Sequence, residues 1–203
     1  MIQIFYLMTN NIHPEFSRFL SRSEKESLLQ QKGSVYWLYG LSGSGKSTIA
    51  NAVERELHKQ GRMTVILDGD NLRSGVNKNL GFTDEDRLEN VRRSSEIAKI
   101  FSSQGIITLV SVITPKAELR SLAQDIIGED FHEVYIHASY ETTEKRDVKG
   151  LYAKAAAGEI PHFTGKDSGF EPPVSPDLTL DTEKLSLEKC VQSLLNFINT
   201  KQT

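Results

Sequence analysis

The sequence predicts an α/β fold of three layers, with a mainly parallel five-stranded sheet between helices. Three observations carry that expectation. Five short apolar runs, at 35–39, 64–67, 106–112, 133–137 and 178–180, are rich in β-branched, aromatic and aliphatic residues and too brief for helices. Segments with helical character lie between or after them, at 47–60, 83–105, 116–127, 142–158 and 185–198, and such alternation is the signature of a parallel sheet covered on both faces. Between the first run and the first of these helices stands Gly40-Leu41-Ser42-Gly43-Ser44-Gly45-Lys46-Ser47-Thr48, which satisfies G-x-x-x-x-G-K-[ST] at every fixed position. Strand, glycine loop and helix are the context this motif requires, so the sheet is read as the P-loop NTPase type.

The chemistry of that loop follows from its residue types. Glycines let the backbone wrap closely on a phosphate with successive N–H groups pointing inward. The helix N-terminus adds the positive end of its dipole. Lys46 is placed to reach the β- and γ-phosphates of a nucleoside triphosphate, and the Ser47 hydroxyl to bind Mg²⁺.

Composition bounds the partners. The 203 residues fit a single domain with a sizeable core, and 38% hydrophobic with 25% charged residues suits a globular protein. A net charge of -3 argues against a general nucleic-acid binder. A single cysteine, Cys190, excludes an internal disulfide framework and fits a reducing, cytoplasmic setting. No stretch approaches the roughly 18 apolar residues of a spanning helix, so no membrane partner is expected. Residues 1–8 are apolar but lack a basic leader and a small-residue cleavage site, and are read as an added strand or a tail rather than a signal peptide.

Residues 1–32 form an N-terminal arm ahead of the phosphate-loop domain at 33–203. Within the arm, 13–32 is polar and helical in character, with Asn11, Ser21 or Ser23 as cap. The second strand ends in Asp68-Gly69-Asp70-Asn71, at the sheet edge where α/β proteins bind ligands; the same residues also suit an ordinary turn. Thr83 followed by Asp84, Glu85 and Asp86 reads as a capped helix start. Arg87, Asn90 and Arg93 follow at three-residue spacing, as an anion-binding face or a solvated one. The third strand runs into Ile113-Thr114-Pro115 at the same edge. His137 ends the fourth and reads as structural or surface, and the five histidines show no zinc-ligand spacing with Cys190. The stretch 142–158 is basic and reads as one helix, either a mobile lid over the phosphates or a solvated surface. Six prolines and glycines make 160–176 a long loop, and Phe163 and Phe170 within it are candidates for stacking on a base.

Taken in order, these motifs resemble the adenylyl-sulfate kinase (APS kinase) family, from about Lys32 to the last helix. The resemblance rests on the phosphate loop, Leu67-Asp68-Gly69-Asp70-Asn71, Leu80-Gly81-Phe82, Asp84-Glu85-Asp86-Arg87, Asn90-Val91-Arg92-Arg93, Arg146 to Tyr152, Ala157-Gly158-Glu159-Ile160 and Phe163-Thr164-Gly165. It implies phosphorylation of the 3′-hydroxyl of adenylyl sulfate by ATP, giving ADP and 3′-phosphoadenylyl sulfate in sulfate assimilation. It further implies that Gly40, Ser42, Gly43, Ser44, Gly45, Lys46, Ser47 and Thr48 hold ATP, with Arg146 and Cys190 near its adenine, Cys190 in a packing rather than a redox role, and Ser47 on Mg²⁺. Asp70, with Asp68, would orient or deprotonate the 3′-hydroxyl, a task suited to a carboxylate within hydrogen-bond reach. Lys46 and Lys149 complete the implied catalytic set. Phe82 and Phe163 match aromatics that sandwich the substrate adenine. Arg73, Arg87, Asn90, Ile113, Thr114, Lys149 and Thr164 match further substrate contacts, and the family implies a homodimer.

The chain departs from the family in reading Val112-Ile113-Thr114-Pro115 where Phe-Ile-Ser-Pro is usual, Lys116 where tyrosine is frequent, and Ser168-Gly169-Phe170-Glu171 where a tyrosine commonly precedes the glutamate. Direct in-line transfer is expected rather than transfer through Thr114. A small sugar or nucleoside kinase on the same scaffold, and a slow nucleotide-hydrolysing regulator, are the competing readings. The first gives no reason for two loop aromatics, and the second lacks a guanine-reading Asn-Lys-x-Asp sequence.

Overall fold

Strand β1 (Ser34–Tyr39) is buried at all six positions and forms the centre of a sheet whose order is β2-β3-β1-β4-β5. The computed structural model describes residues 13, 15, 18–147, 149–159, 164 and 169–202. The partners of β1 are β3 (Ile107–Ser111) and β4 (Phe131–His137), with β2 (Thr64–Asp68) and β5 (Leu178–Asp181) at the edges. Every pairing is parallel, and Trp37 stands level with Val110 on one side and Glu133 on the other.

Two apolar layers follow from the two-residue alternation of β1. Tyr36 and Leu38 face helix α2 (Lys46–Lys59) and the C-terminal helix α8 (Leu187–Gln202), in a cluster with Ile49, Val53, Leu109, Ile136, Leu180 and Leu194. Val35, Trp37 and Tyr39 face the other way. They pack with Val91 and Ala98 of α4 (Asp84–Ser102) and with Leu119 and Ala123 of α5 (Ala117–Ile127). Each fully buried aliphatic side chain contributes about 1.5–3 kcal/mol. These layers fix the C-terminal edge of the sheet, where the connections after β1, β2 and β3 meet. After β1 the chain turns to one face and after β3 to the other, and α/β sheets open a crevice at such a divergence.

Among its described residues the N-terminal arm holds a shorter helix than the 13–32 expectation. Helix α1 (Arg22–Leu29) begins at Ser21, whose capping box with Glu24 satisfies two backbone donors. It stops at Gln30, which is left-handed at φ 50°. The arm is nevertheless tied down: Arg22 donates to both carboxylate oxygens of Asp130 at 2.7 and 2.8 Å, and Gln31 bonds Met63 and Gly105. Residues 1–8, Phe163 and most of the 160–168 loop lie outside the described residues.

The stretch 142–158 is not one helix. It forms α6 (Tyr140–Arg146) and α7 (Leu151–Ala156). Gly150 takes φ 64° between them, and the Asp147 carboxylate accepts the backbone N–H groups of Tyr152 and Ala153 at 3.0 and 3.1 Å, capping the second piece. The break holds Lys149 out of the helix, at the cavity described next.

Candidate active site

The phosphate loop is shaped by two close approaches. A Cβ on Gly40, at φ 149°, would stand 2.3 Å from the carbonyl oxygen of Ile136, so no other residue fits there. Gly45, at φ 104°, turns the chain into the first residue of α2. Lys46 then curls back over the loop. Its Nζ donates to the carbonyls of Gly40 and Leu41 at 3.0 and 2.7 Å. Burial, reinforced by repulsion from Lys149 and partly offset by Asp68 and Asp70, lowers Lys46 from its ordinary value to about 7.

Beside it, the Ser47 hydroxyl donates to Asp68 Oδ2 at 2.6 Å and lies 3.1 Å from the Ser111 hydroxyl. The other oxygen of Asp68 accepts the backbone N–H of Asp70 at 3.0 Å and caps the short helix α3 (Gly69–Ser74). The strand-end run Asp68-Gly69-Asp70-Asn71 is therefore the start of a helix rather than an open turn. The cap turns Asp70 into the cleft, where its carboxylate pairs with Lys149 from the α6–α7 break.

Opposite the phosphate loop stands a cationic corner. Arg73 lies over the Phe82 ring at 4.5 Å and donates to the carbonyls of Leu80 and Gly81. Arg87 Nε donates to the Phe82 carbonyl at 3.0 Å. Burial lowers both guanidiniums from their ordinary value, and Arg73 adds repulsion to Arg87. Two partly desolvated cations set side by side favour an anion between or beside them. Arg93 does not join them: it bonds Glu89, the Val76 carbonyl and Asn79. Six residues are about 1.7 helical turns, which carries Arg93 roughly 120° around from Arg87.

These groups enclose a cavity of about 520 Å³ at the sheet edge, lined by the phosphate loop, Asp68, Asp70, Arg73, Phe82, Arg87, Asn90, Ile113, Thr114, Lys149 and Thr164. Its size is that of a site for a large small molecule. Thr164 is 2% exposed and its hydroxyl has no partner among the described residues. The wall after β3 is held from behind. Thr114, at φ 42°, accepts the Trp37 indole N–H at 2.9 Å. Arg120, buried against the Tyr39 ring, pairs with Glu133 at 3.1 Å and donates to the Thr114 carbonyl at 3.3 Å.

A family model described as adenylylsulphate kinase matches residues 32–181. An adenylyl-sulfate kinase of Phocaeicola vulgatus is 59% identical over 189 residues, covering 93% of both chains. The chain belongs to the adenylylsulphate kinase family. A solved APS kinase of Mycobacterium tuberculosis, in complex with AMPPNP and APS, superposes with a TM-score of 0.80 at 45% identity, over 83% of this chain and 99% of that one. A gluconokinase from Sinorhizobium meliloti, at 17% identity and a TM-score of 0.56 over 84% of this chain and 93% of that one, shares the fold alone.

As a member of the adenylylsulphate kinase family, this chain is a P-loop kinase, and most of the residues expected from its sequence converge on one cavity. Cys190 has the expected packing role, 1% exposed in the core cluster with Ile49 and Leu194. Phe170 stacks on Tyr39 and Tyr135 with centroids 6.5 and 5.9 Å apart, so its ring is spent on the core face and is not free for a base. Arg146 binds Thr182 at 2.8 and 3.0 Å and reaches the Gly43 carbonyl at 3.5 Å, joining the phosphate loop to the end of β5. Residues without a distinctive sequence signal also serve the site. The Tyr152 hydroxyl donates to the Ser42 carbonyl at 2.8 Å, tethering α7 to the loop, and Ser111 and Arg120 support the floor and wall. His137, Asp181 and Glu183 bring ligand-type atoms within 4.8 Å, yet Lys184 occupies Asp181 and the Ser139 N–H and hydroxyl occupy Glu183. Among the described residues no helix is long and apolar enough to cross a membrane.

Proposed function

We propose that this cavity transfers the γ-phosphoryl group of ATP to the 3′-hydroxyl of adenylyl sulfate. The observation that carries the reading is the placement of Asp70 between the phosphate loop and the Arg73–Arg87 corner, with one face of the cleft built for a triphosphate and the other for an anionic acceptor. Lys46 and the backbone N–H groups of the loop hold the ATP phosphates. The Ser47 hydroxyl and Asp68 carboxylate are adjacent hard oxygen donors, a pair that fits Mg²⁺. These two residues would hold the ion, which would supply positive charge against the ATP phosphates.

Arg73, Arg87 and Asn90 hold the acceptor nucleotide, and Phe82, exposed at 54%, offers a ring face on which its base stacks. Base stacking of this kind is worth about 1–3 kcal/mol. The Asp70 carboxylate takes the proton of the 3′-hydroxyl as the O3′–P bond forms, the bond from the γ-phosphorus to the bridging oxygen breaks, and ADP leaves. Lys149 releases Asp70 and meets the charge on the transferred group. Transfer is proposed as direct rather than through Thr114, and the burial of its hydroxyl against the Trp37 indole N–H supports that reading. Assembly as a homodimer and a cytoplasmic setting are proposed from the family resemblance, and sedimentation gives the mass that checks the first.

The deciding experiment is product analysis. Protein and Mg·ATP are mixed separately with adenylyl sulfate, adenosine monophosphate, a nucleoside panel and water. Mass spectrometry is expected to find 3′-phosphoadenylyl sulfate with the first and no comparable product with the others. Phosphorylation of another acceptor in its place overturns the reading.

A further inference from the structure

Asn77 is fully buried, yet it belongs to neither apolar cluster of the sheet. It lies in the connection between α3 and α4, where its backbone N–H donates to the Leu72 carbonyl at 2.8 Å and its carbonyl accepts from Leu80 at 3.0 Å. With the backbone held at both ends, the side chain has a fixed origin. Its Nδ2 donates to Asn90 Oδ1 at 2.9 Å, in a buried contact. Asn90 in turn lines the cavity beside Arg87.

A primary amide has one acceptor corner and one donor corner. With Oδ1 of Asn90 taken from behind by Asn77, the corner left to the cavity is Nδ2–H. The sense of this pair is set by what each alternative leaves unmade. As it stands, one buried carbonyl oxygen, Asn77 Oδ1, has no hydrogen-bond partner. Turning both amides over would satisfy that oxygen but strand the whole Asn77 amino group, with two donors, in the same buried place. Orphaned buried donors are rarer and costlier than an under-satisfied carbonyl.

We infer that Asn77 is a positioning residue that fixes the polarity of Asn90. It makes the wall between Arg73, Arg87 and Asn90 donors only, and so selects an acceptor oxygen of an anionic nucleotide there. The inference rests on the acceptor reading of this wall given above and adds the residue that enforces it.

A mutant cycle tests it through the KM for adenylyl sulfate. Asn77→Asp replaces the donor by an acceptor-only group, which draws Asn90 Nδ2–H inward and turns its oxygen to the cavity. The expected result is a rise of about tenfold or more in the KM for adenylyl sulfate, the loss that corresponds to one hydrogen bond to a charged group. The KM for ATP stays within about twofold, which also shows that the fold is intact. In an Asn90→Ala background, Asn77→Asp adds no further rise. If the buried carboxylate prevents folding, Asn77→Ala carries the same cycle without adding charge. If Asn90→Ala raises the KM while neither Asn77 variant does, or if the Asn77 effect is undiminished in the Asn90→Ala background, the inference falls alone. If Asn90→Ala itself leaves the KM unchanged, the acceptor reading of this wall falls and takes the inference with it.

Discussion

The hydroxyl of Ser47 and the carboxylate of Asp68 lie 2.6 Å apart although they come from different strand connections, and the second oxygen of Asp68 caps α3. One side chain thus joins the phosphate loop to the helix that carries Asp70. Two substitutions separate its roles. Asp68→Asn keeps a good N-cap and loses the charge, whereas Asp68→Ala loses both. Both are expected to raise the Mg²⁺ concentration needed for turnover and to lower kcat. Only Asp68→Ala is expected to lose about 1 kcal/mol of stability as well. Mg²⁺ titrations of rate and urea unfolding of the two variants make the comparison; equal stability loss in both would show that the cap contributes nothing.

Asp70 and Lys149 form a solvent-exposed pair, 70% and 56% exposed, so the pair itself adds little stability. Its value lies in where it holds the carboxylate. Asp70→Asn removes the proton acceptor while leaving the phosphate loop untouched. Turnover is expected to fall by about 10²–10⁴, the usual worth of a positioned base, with ATP affinity within a few-fold. Calorimetry with a non-hydrolysable ATP analogue and single-turnover rates measure the two quantities. Unchanged turnover in Asp70→Asn would remove Asp70 from the chemistry.

The parts of the molecule legible in the sequence were those with a local code. Strand β1 announces itself by five apolar or aromatic positions, Val35 to Tyr39, before a glycine loop, and Gly40 and Gly45 occur because their backbone conformations and contacts demand them. Thr83 names its helix start by capping chemistry, and Ser21 is the one of three candidate caps that the arm helix uses. The residues that depend on distant partners were not legible. Gly150 could have signalled the break in 142–158, but Asp147 acting as its cap shows only in three dimensions. Phe170 has the composition of a ligand-stacking aromatic and becomes a core residue because Tyr39 and Tyr135 present a flat face to it. Arg120 and Asn77 carry no spacing signal at all, since Glu133, Thr114 and Asn90 meet them from other elements or across a loop.

Thr114 is one of two described non-glycine residues with positive φ, and its only side-chain hydrogen bond among the described residues accepts from the buried indole of Trp37. A β-branched residue is strained there, so the backbone is held by its surroundings: Trp37, the Arg120 guanidinium on its carbonyl, and the neighbouring bond from Gly40 N–H to the Ile113 carbonyl at 3.2 Å. Thr114→Val keeps the branch and removes the acceptor, leaving a buried N–H unpaired. It is expected to cost about 1–3 kcal/mol, while Thr114→Ser keeps the bond and stays near the parent. Arg120→Met strands Glu133 and frees the Thr114 carbonyl, with an expected loss of about 3 kcal/mol, the low end for a broken buried pair because Glu133 retains some exposure. Denaturant midpoints rank the three variants, and Trp37 fluorescence reports the first.

Lys46 gives the site its pH dependence. Burial lowers it to about 7 in the free protein, whereas an unfolded lysine stays protonated up to about 10.5. Between those values the unfolded chain binds the extra proton. The burden on stability is therefore fully present below pH 7 and is relieved as pH rises toward 10.5. Nucleotide binding runs the other way. A triphosphate over Lys46 favours the ammonium, so at pH 8 binding ATP must draw a proton from solution, and at pH 6 the proton is already there. Calorimetry at pH 8 in two buffers of different ionisation enthalpy is expected to show uptake approaching one proton per ATP. That uptake disappears at pH 6 and in Lys46→Met. Apparent affinity for ATP should weaken by up to about tenfold per pH unit above 7, until the bound lysine itself titrates. Buffer-independent binding heats at pH 8 would mean that Lys46 is already charged before the nucleotide arrives. The carbonyls of Gly40 and Leu41, with the carboxylates of Asp68 and Asp70, would then outweigh its burial.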